Sequence, residues 1–326
     1  MPTRSDRVKF GAVLNYTPEL LQSDWQGLKR IALGCERLGY DSIWVMDHFT
    51  YHGLPAVMEC YTTLAALASV TTRIRLGSLM TCNSYRHPPV LAKMAATLDV
   101  ISNGRFELGI GAGWKEDEYT MYGIDYPNTR VRIEQLKESL QVIKKMWTEP
   151  RASFNGKYYR IRDMDFGPKL VQKPHPPIWV GGHGEKYLLR VVAELADYSN
   201  MGQGHVNREG YQHKIHVLKE HCRAVGRNYD DIKKSLNLEV HIARSEEEAR
   251  RKMLETYNHQ QVGPTLSRER VSAEEYARRR LVGTPEQCVL QLKKWLEEDV
   301  DYVLVGWGMT GDDWKLFAEK VIPALE

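Results

Sequence analysis

Strand-like and helix-like segments alternate along almost the whole chain, and this alternation restricts the fold more than any other property of the sequence. Short, largely apolar runs at residues 8–16, 41–47, 74–81, 105–111, 178–181, 197–201, 235–243 and 301–306 read as strands. Helical patterns fill the intervals at 24–38, 60–70, 89–101, 130–147, 185–195, 209–225, 245–259, 284–298 and 312–325. The first of these carries Trp25, Leu28, Ala32, Cys35 and Leu38 at helical spacing, and the pattern at 284 opens with TPEQ, a capping signal with Pro in the first turn. Continuous apolar strands separated by helices imply a parallel sheet. Eight such units imply closure, so the expected fold is α/β, a TIM (β/α)8 barrel. The alternative, an open doubly wound sheet, would not need eight units of this regularity.

A chain of 326 residues can bury one large core, and no domain boundary interrupts it, so residues 1–326 read as one domain. Two stretches break the pattern, 151–177 after strand 4 and 260–280 after strand 7. They read as insertions, the first with a small hairpin at FNGKYY (Phe154 to Tyr159). A net charge of only +3 gives no reason to expect nucleic acid or an anionic membrane as partner. No run of eighteen apolar residues occurs, and MPTRSDRVKF lacks the apolar stretch of a secretory signal. The five cysteines are scattered, odd in number and without metal or redox spacing. They fit a reducing compartment, so the expectation is a cytoplasmic protein with no metal.

In a barrel of this kind function sits in the loops that follow the strands. The richest of these lies in GRFELGIGAGWKEDEYTMYGIDY, from Gly104 to Tyr126. Phe106, Leu108 and Ile110 alternate as in a strand, and Gly109, Gly111 and Gly113 remove side chains where something must approach the backbone. WVMDHF closes the second strand, GSLMTCNSY the third, and GGHGE follows the fifth, within QKPHPPIWVGGHGEKYLLRVVAELAD. Glycines at a helix start leave backbone N–H groups to bind an anion, although GGxG alone is a weak signal. The absence of GxGxxG after the first strand argues against a Rossmann nicotinamide site.

On these blocks the sequence resembles the bacterial luciferase-like flavin and deazaflavin oxidoreductases, and within them the branch that uses coenzyme F420. The resemblance runs from Val8 to Leu325. It implies a barrel whose cofactor lies at the C-terminal end of the strands, and hydride transfer to or from a small organic substrate. It also implies roles for single residues. Asp47 contacts the deazaflavin, and His48 donates or accepts a proton, a task suited to an imidazole. The bland reading of this pair is a cap and a solvated histidine. Leu79, Met80 and Thr81 support the ring from behind, with a cis peptide not preceding proline near Leu79–Met80. Gly111, Ala112 and Gly113 let the ring or a phosphate approach; the bland reading is a strand-to-helix turn.

Gly181, Gly182, His183, Gly184 and Glu185 bind phosphate through their amides, or form a plain turn. Asn15 and Asn200 are polar cofactor contacts, or only turn residues. Trp114, Tyr119, Tyr122 and Trp307 line the substrate mouth. Related sugar-phosphate dehydrogenases carry a catalytic glutamate at about the position of Trp114, and tryptophan cannot transfer a proton, which argues against a sugar phosphate. Glu118, four residues on, is a substitute catalytic group, or a helix-start charge. Arg278, Arg279 and Arg280 meet an anionic cofactor tail, or are solvated, since three adjacent arginines cannot share a helix face. The alternatives are a two-component FMN monooxygenase of the same fold and a non-catalytic flavin-binding protein. The expected partner is a small-molecule substrate, and the resemblance allows a homodimer.

Overall fold

The computed structural model describes residues 7–14, 25–50, 57–202, 207–262 and 271–325. Eight parallel strands form a closed barrel: β1 (Lys9–Val13), β2 (Ser42–Val45), β3 (Arg75–Ser78), β4 (Phe106–Gly111), β5 (Ile178–Gly181), β6 (Tyr198–Gly202), β7 (Lys233–Leu238) and β8 (Tyr302–Val305). Each pairs with its neighbour in sequence, and Lys9 opposite Tyr302 and Gly11 opposite Ser42 join β1 to both β8 and β2. Closure leaves no open edge, as a parallel sheet covered by helices requires.

Alternation along the strands divides the core in two. Phe106, Leu108 and Ile110 of β4 join Phe10, Ile43, Val45, Leu76 and Val180 in the large layer packed with the helices. Residues of the other parity fill the barrel: Val13, Trp44, Leu79, Trp179, Tyr302 and Leu304 form a second buried cluster. Trp179 stacks on Tyr198 at 3.9 Å between ring centres, and Trp44 meets Trp179 edge-on at 4.5 Å. Such bulk inside a small barrel needs compensation. A Cβ on Gly11 would stand 2.7 Å from Trp44 Nε1, and one on Gly77 would strike the same indole. Glycine at these two positions makes room for the tryptophan.

The first insertion is an antiparallel hairpin, Arg151–Asn155 with Arg160–Asp165, and Asn155 opposite Arg160 places Gly156 to Tyr159 in the turn. Glu138 of the helix Thr129–Thr148 accepts the amides of Lys157, Tyr158 and Tyr159 and so ties the turn down. The second insertion, described from residue 271, holds the helix Ala273–Arg278, capped by Ser272. Three of the boundaries that differ from the sequence reading change how the loops leave the barrel. The seventh strand, expected over 235–243, leaves the barrel at Leu238, and Val240–Ile242 pairs instead with Leu281–Gly283. The chain turns there because the Glu239 carbonyl accepts the amide of Leu281 while its carboxylate is held by Arg280 and His241. The helix expected from 185 begins at Leu188. The third strand pauses after Ser78 and resumes at Thr81–Cys82, with a cis peptide at Leu79–Met80, where the resemblance implied one.

Candidate active site

The C-terminal ends of β3, β4 and β5 meet around Met80. A Cβ on Gly109 would approach the Met80 sulfur to 2.8 Å, and one on Gly181 would meet Met80 Cγ at 2.5 Å. A Cβ on Gly111, by contrast, would stand 3.5 Å from the Gly181 carbonyl oxygen and 3.6 Å from Met80 Cβ, ordinary contact distances. Gly111 is therefore the least crowded of the three glycines at these strand ends. Trp307, half-buried at the end of β8, packs on the inner cluster.

Asp47 and His48 follow β2. The Asp47 side chain is almost wholly buried, and both its oxygens are engaged inside the protein. Arg86 Nη1 donates to Oδ2 at 2.7 Å, Arg86 Nη2 to Oδ1 at 2.9 Å, and the Cys82 amide to Oδ2 at 2.9 Å. Burial would lower the Arg86 pKa, but the hydrogen bonds and charge of Asp47 raise it above the usual range. Arg86 also pairs with Glu59, whose carboxylate caps the helix Cys60–Val70. The resemblance implied that Asp47 touches the cofactor; in the structure its carboxylate fastens the loop after β3 to the end of β2.

His48 keeps 13% of its side chain exposed, and its Nδ1 lies 2.9 Å from Glu118 Oε2. Glu118 has no exposed surface. Its other ligands are the amides of Phe49 (3.0 Å) and Thr50 (2.9 Å) and the hydroxyl of Tyr85 (2.7 Å). Burial would raise the Glu118 pKa; the His48 bond and charge, the Thr50 amide and the Tyr85 hydroxyl outweigh it and hold the carboxyl below its ordinary value. Glu118 lies on the helix Glu116–Met121. Its carboxylate is enclosed by His48, the Phe49 and Thr50 amides and Tyr85.

Trp114 is 61% exposed, with its ring edge-on to His48 at 5.8 Å. Phe49 is stacked between Tyr85 and Tyr122 at 4.3 and 4.0 Å. These rings give the mouth an aromatic lip. Tyr119, expected on the lip, is fully buried instead, with its hydroxyl 3.0 Å from Cys82 Sγ. Tyr119 sits within the helix Glu116–Met121, whereas Tyr122 caps its C-terminal end and is exposed. Tyr119 also explains Gly113, which has φ +78° and whose Cβ would meet the Tyr119 hydroxyl and come within 2.7 Å of Cys82 Sγ. That glycine accommodates a protein side chain, and Ala112 is half-buried against the main core.

Around β5, Gly182 takes φ +129° and its amide donates to the Asn200 carbonyl at 3.0 Å. The turn from Gly181 through His183 and Gly184 to Glu185 precedes the helix rather than opening it. The Glu185 carboxylate pairs with Lys214 and His213. The Asn200 side chain is buried in a network with Ser235 and Asn237 at 2.8–3.0 Å, level with Gly181 of β5. Arg279 pairs with Glu275, and Arg280 donates to Glu239 at 2.6 Å, so these two arginines bind helix and strand partners. Arg278 is exposed beside Glu275. Asn15 lies outside the described residues.

Residues 8–301 match the model of the luciferase-like monooxygenase family. The chain belongs to that family. An F420-dependent glucose-6-phosphate dehydrogenase of Amycolatopsis mediterranei (strain U-32) is 26% identical over 324 residues, covering 91% of this chain and 94% of the relative. Among solved structures, the monooxygenase RslO1 from Streptomyces bottropensis superposes with a TM-score of 0.82 at 23% identity, over 98% of this chain and all of that one. An F420-dependent secondary alcohol dehydrogenase in complex with an F420-acetone adduct superposes with a TM-score of 0.84 at 18% identity, with the same coverage. Those two likenesses establish the luciferase-like barrel fold.

Sequence reasoning missed Arg86, Tyr85, Cys82 and Glu59. Tyr85 and Cys82 lie within the quoted GSLMTCNSY block, but nothing in their spacing distinguished them. Arg86 carried no signal at all, because its partner lies 39 residues away.

Proposed function

We propose that this luciferase-like oxidoreductase transfers a hydride between coenzyme F420 and a small organic substrate, with His48 as the proton partner. The observation that carries the reading is an imidazole held at the end of β2 by a buried carboxylate, near the end of β4 where Gly111 is uncrowded. The similarity to F420-dependent dehydrogenases supports the choice of cofactor. A flat heterocycle fits beside Gly111, where a Cβ would still find ordinary contact distances. Leu79, Met80 and Thr81 would back the ring, and Gly111 and Ala112 would let it approach β4. The amides of His183, Gly184 and Glu185 are the proposed phosphate donors; that of Gly182 serves Asn200.

When bound, F420 would supply a two-electron hydride carrier. The chain's own residues do the rest. The lip of Trp114, Phe49 and Tyr122 orients the substrate and excludes water from His48. His48 takes a proton when the substrate is oxidised and returns it in the reverse direction. Trp114 stands where sugar-phosphate dehydrogenases of this resemblance have a catalytic glutamate, so the proposed substrate is not a sugar phosphate but a molecule with an apolar face that packs on the indole. The test is fluorescence titration of the purified protein with F420 and with FMN. Tighter binding of F420 supports the reading. Tight binding of FMN alone replaces it with a two-component monooxygenase, and binding of neither removes the hydride-transfer assignment.

A further inference from the structure

Three loops of the barrel meet at one buried carboxylate. Glu118 comes from the helix after β4, His48 with the Phe49 and Thr50 amides from the end of β2, and Tyr85 from the turn Asn83–Tyr85 after β3. An ionised carboxylate has no hydrogen to give, so each of its four partners must be a donor. The Tyr85 hydroxyl is fit for that role. Burial, nearby Cys82 and the carboxylate itself all raise its pKa, which keeps its proton in place. The imidazole nitrogen facing Glu118 must likewise carry a hydrogen. In a neutral imidazole only one nitrogen does, and the lone pair then lies on the other.

We propose that Glu118, backed by Tyr85, is a positioning residue that locks His48 in the Nδ1–H tautomer and makes Nε2 the nitrogen that exchanges a proton with the substrate. The inference rests on His48 being the proton partner. The proton taken up resides on Nε2 and leaves from Nε2; Glu118 takes none and stabilises the imidazolium while it lasts. The lock is stiff because Glu118 also binds the two amides that follow His48, so ring and carboxylate move together. Tyr85 is braced by its stack on Phe49. Two charged residues near the ring are already paired. Asp47 is held by Arg86, and Lys115, whose Nζ is 4.0 Å from Glu118 Oε1, bonds to Asp117 at 2.6 Å. Trp114 contributes only a ring edge.

The competing role is structural: Glu118 would merely tie the loop amides, and the state of His48 would be indifferent to it. Nitrogen-15 correlation spectra of the histidine rings in the protein alone decide between the two, with His48→Ala used to assign the signals. The expected wild-type pattern at alkaline pH is hydrogen on Nδ1 of His48; hydrogen on Nε2 would overturn the proposal. Glu118→Gln keeps shape and an acceptor oxygen but removes the charge. In that variant the share of His48 with hydrogen on Nδ1 should fall, and kcat should fall ~10²-fold or more with cofactor affinity unchanged. An unchanged tautomer, or kcat unchanged, would equally overturn it. Tyr85→Phe should move the same signals in the same direction by a smaller amount. Because the spectra need no cofactor, they stand whichever coenzyme binds, and failure of the F420 assignment would show only in the titration with that coenzyme.

Discussion

Arg86 grips Asp47 with two nitrogens, Nη1 to Oδ2 at 2.7 Å and Nη2 to Oδ1 at 2.9 Å, and so fastens the loop after β3 to the end of β2. The pair is buried, with 11% of the arginine side chain and 2% of the aspartate exposed. Removing one partner of a buried pair leaves a charge with neither water nor counter-ion, at a cost of about 3–5 kcal/mol. Arg86→Ala should lose that much unfolding free energy in urea. A loss below about 1 kcal/mol, the worth of a surface pair, would mean that the clamp is not what holds the loop.

His48→Ala should lower turnover by ~10²–10⁴-fold, the contribution of a positioned general acid or base, with little change in cofactor affinity. Steady-state kinetics and a parallel binding titration separate the two. If the residue only packs against Trp114, turnover will hardly change.

Two glycines of one turn should behave differently. Gly113→Ala puts a Cβ against the Tyr119 hydroxyl at φ +78°, so it should lose about 1–3 kcal/mol of stability whatever is bound. Gly111→Ala meets only ordinary contacts. It should leave the melting temperature unchanged and weaken cofactor binding, because the added methyl rises where the ring is proposed to lie. Unchanged affinity would move the ring away from the end of β4.

Glu239 sets an acid limit. Burial would raise its pKa, but the hydrogen bond and charge of His241, the charge of Arg280 and the Tyr276 hydroxyl outweigh burial and hold it at about 2, against an ordinary 4.5. A depressed carboxylate stabilises the fold fully above its unfolded value and loses that contribution as pH falls toward its folded value. The Glu239 contribution should therefore be complete above about pH 4.5 and fade toward pH 2. Urea midpoints between pH 6 and 3 should fall more steeply for wild type than for Glu239→Gln; parallel curves would show that the cluster is not linked to stability.

The barrel was legible in the sequence because its signal is local. Each strand and helix carries its own periodicity, and eight units of alternating type leave few ways to bury their apolar faces. The places where chemistry gathers followed from the same reasoning, since His48, Trp114 and the Leu79–Met80 bond all lie directly after strands. What periodicity could not convey is which polar group meets which. Glu118 reaches His48 across 70 residues and Asp47 meets Arg86 across 39, and hydrogen bonds of that span leave no trace in local spacing. For the same reason Tyr119 looked like a mouth residue but is buried. The glycines after β4 looked like room for a ligand, yet Gly113 makes room for Tyr119, because close packing from distant parts of the chain decides what a missing side chain is for.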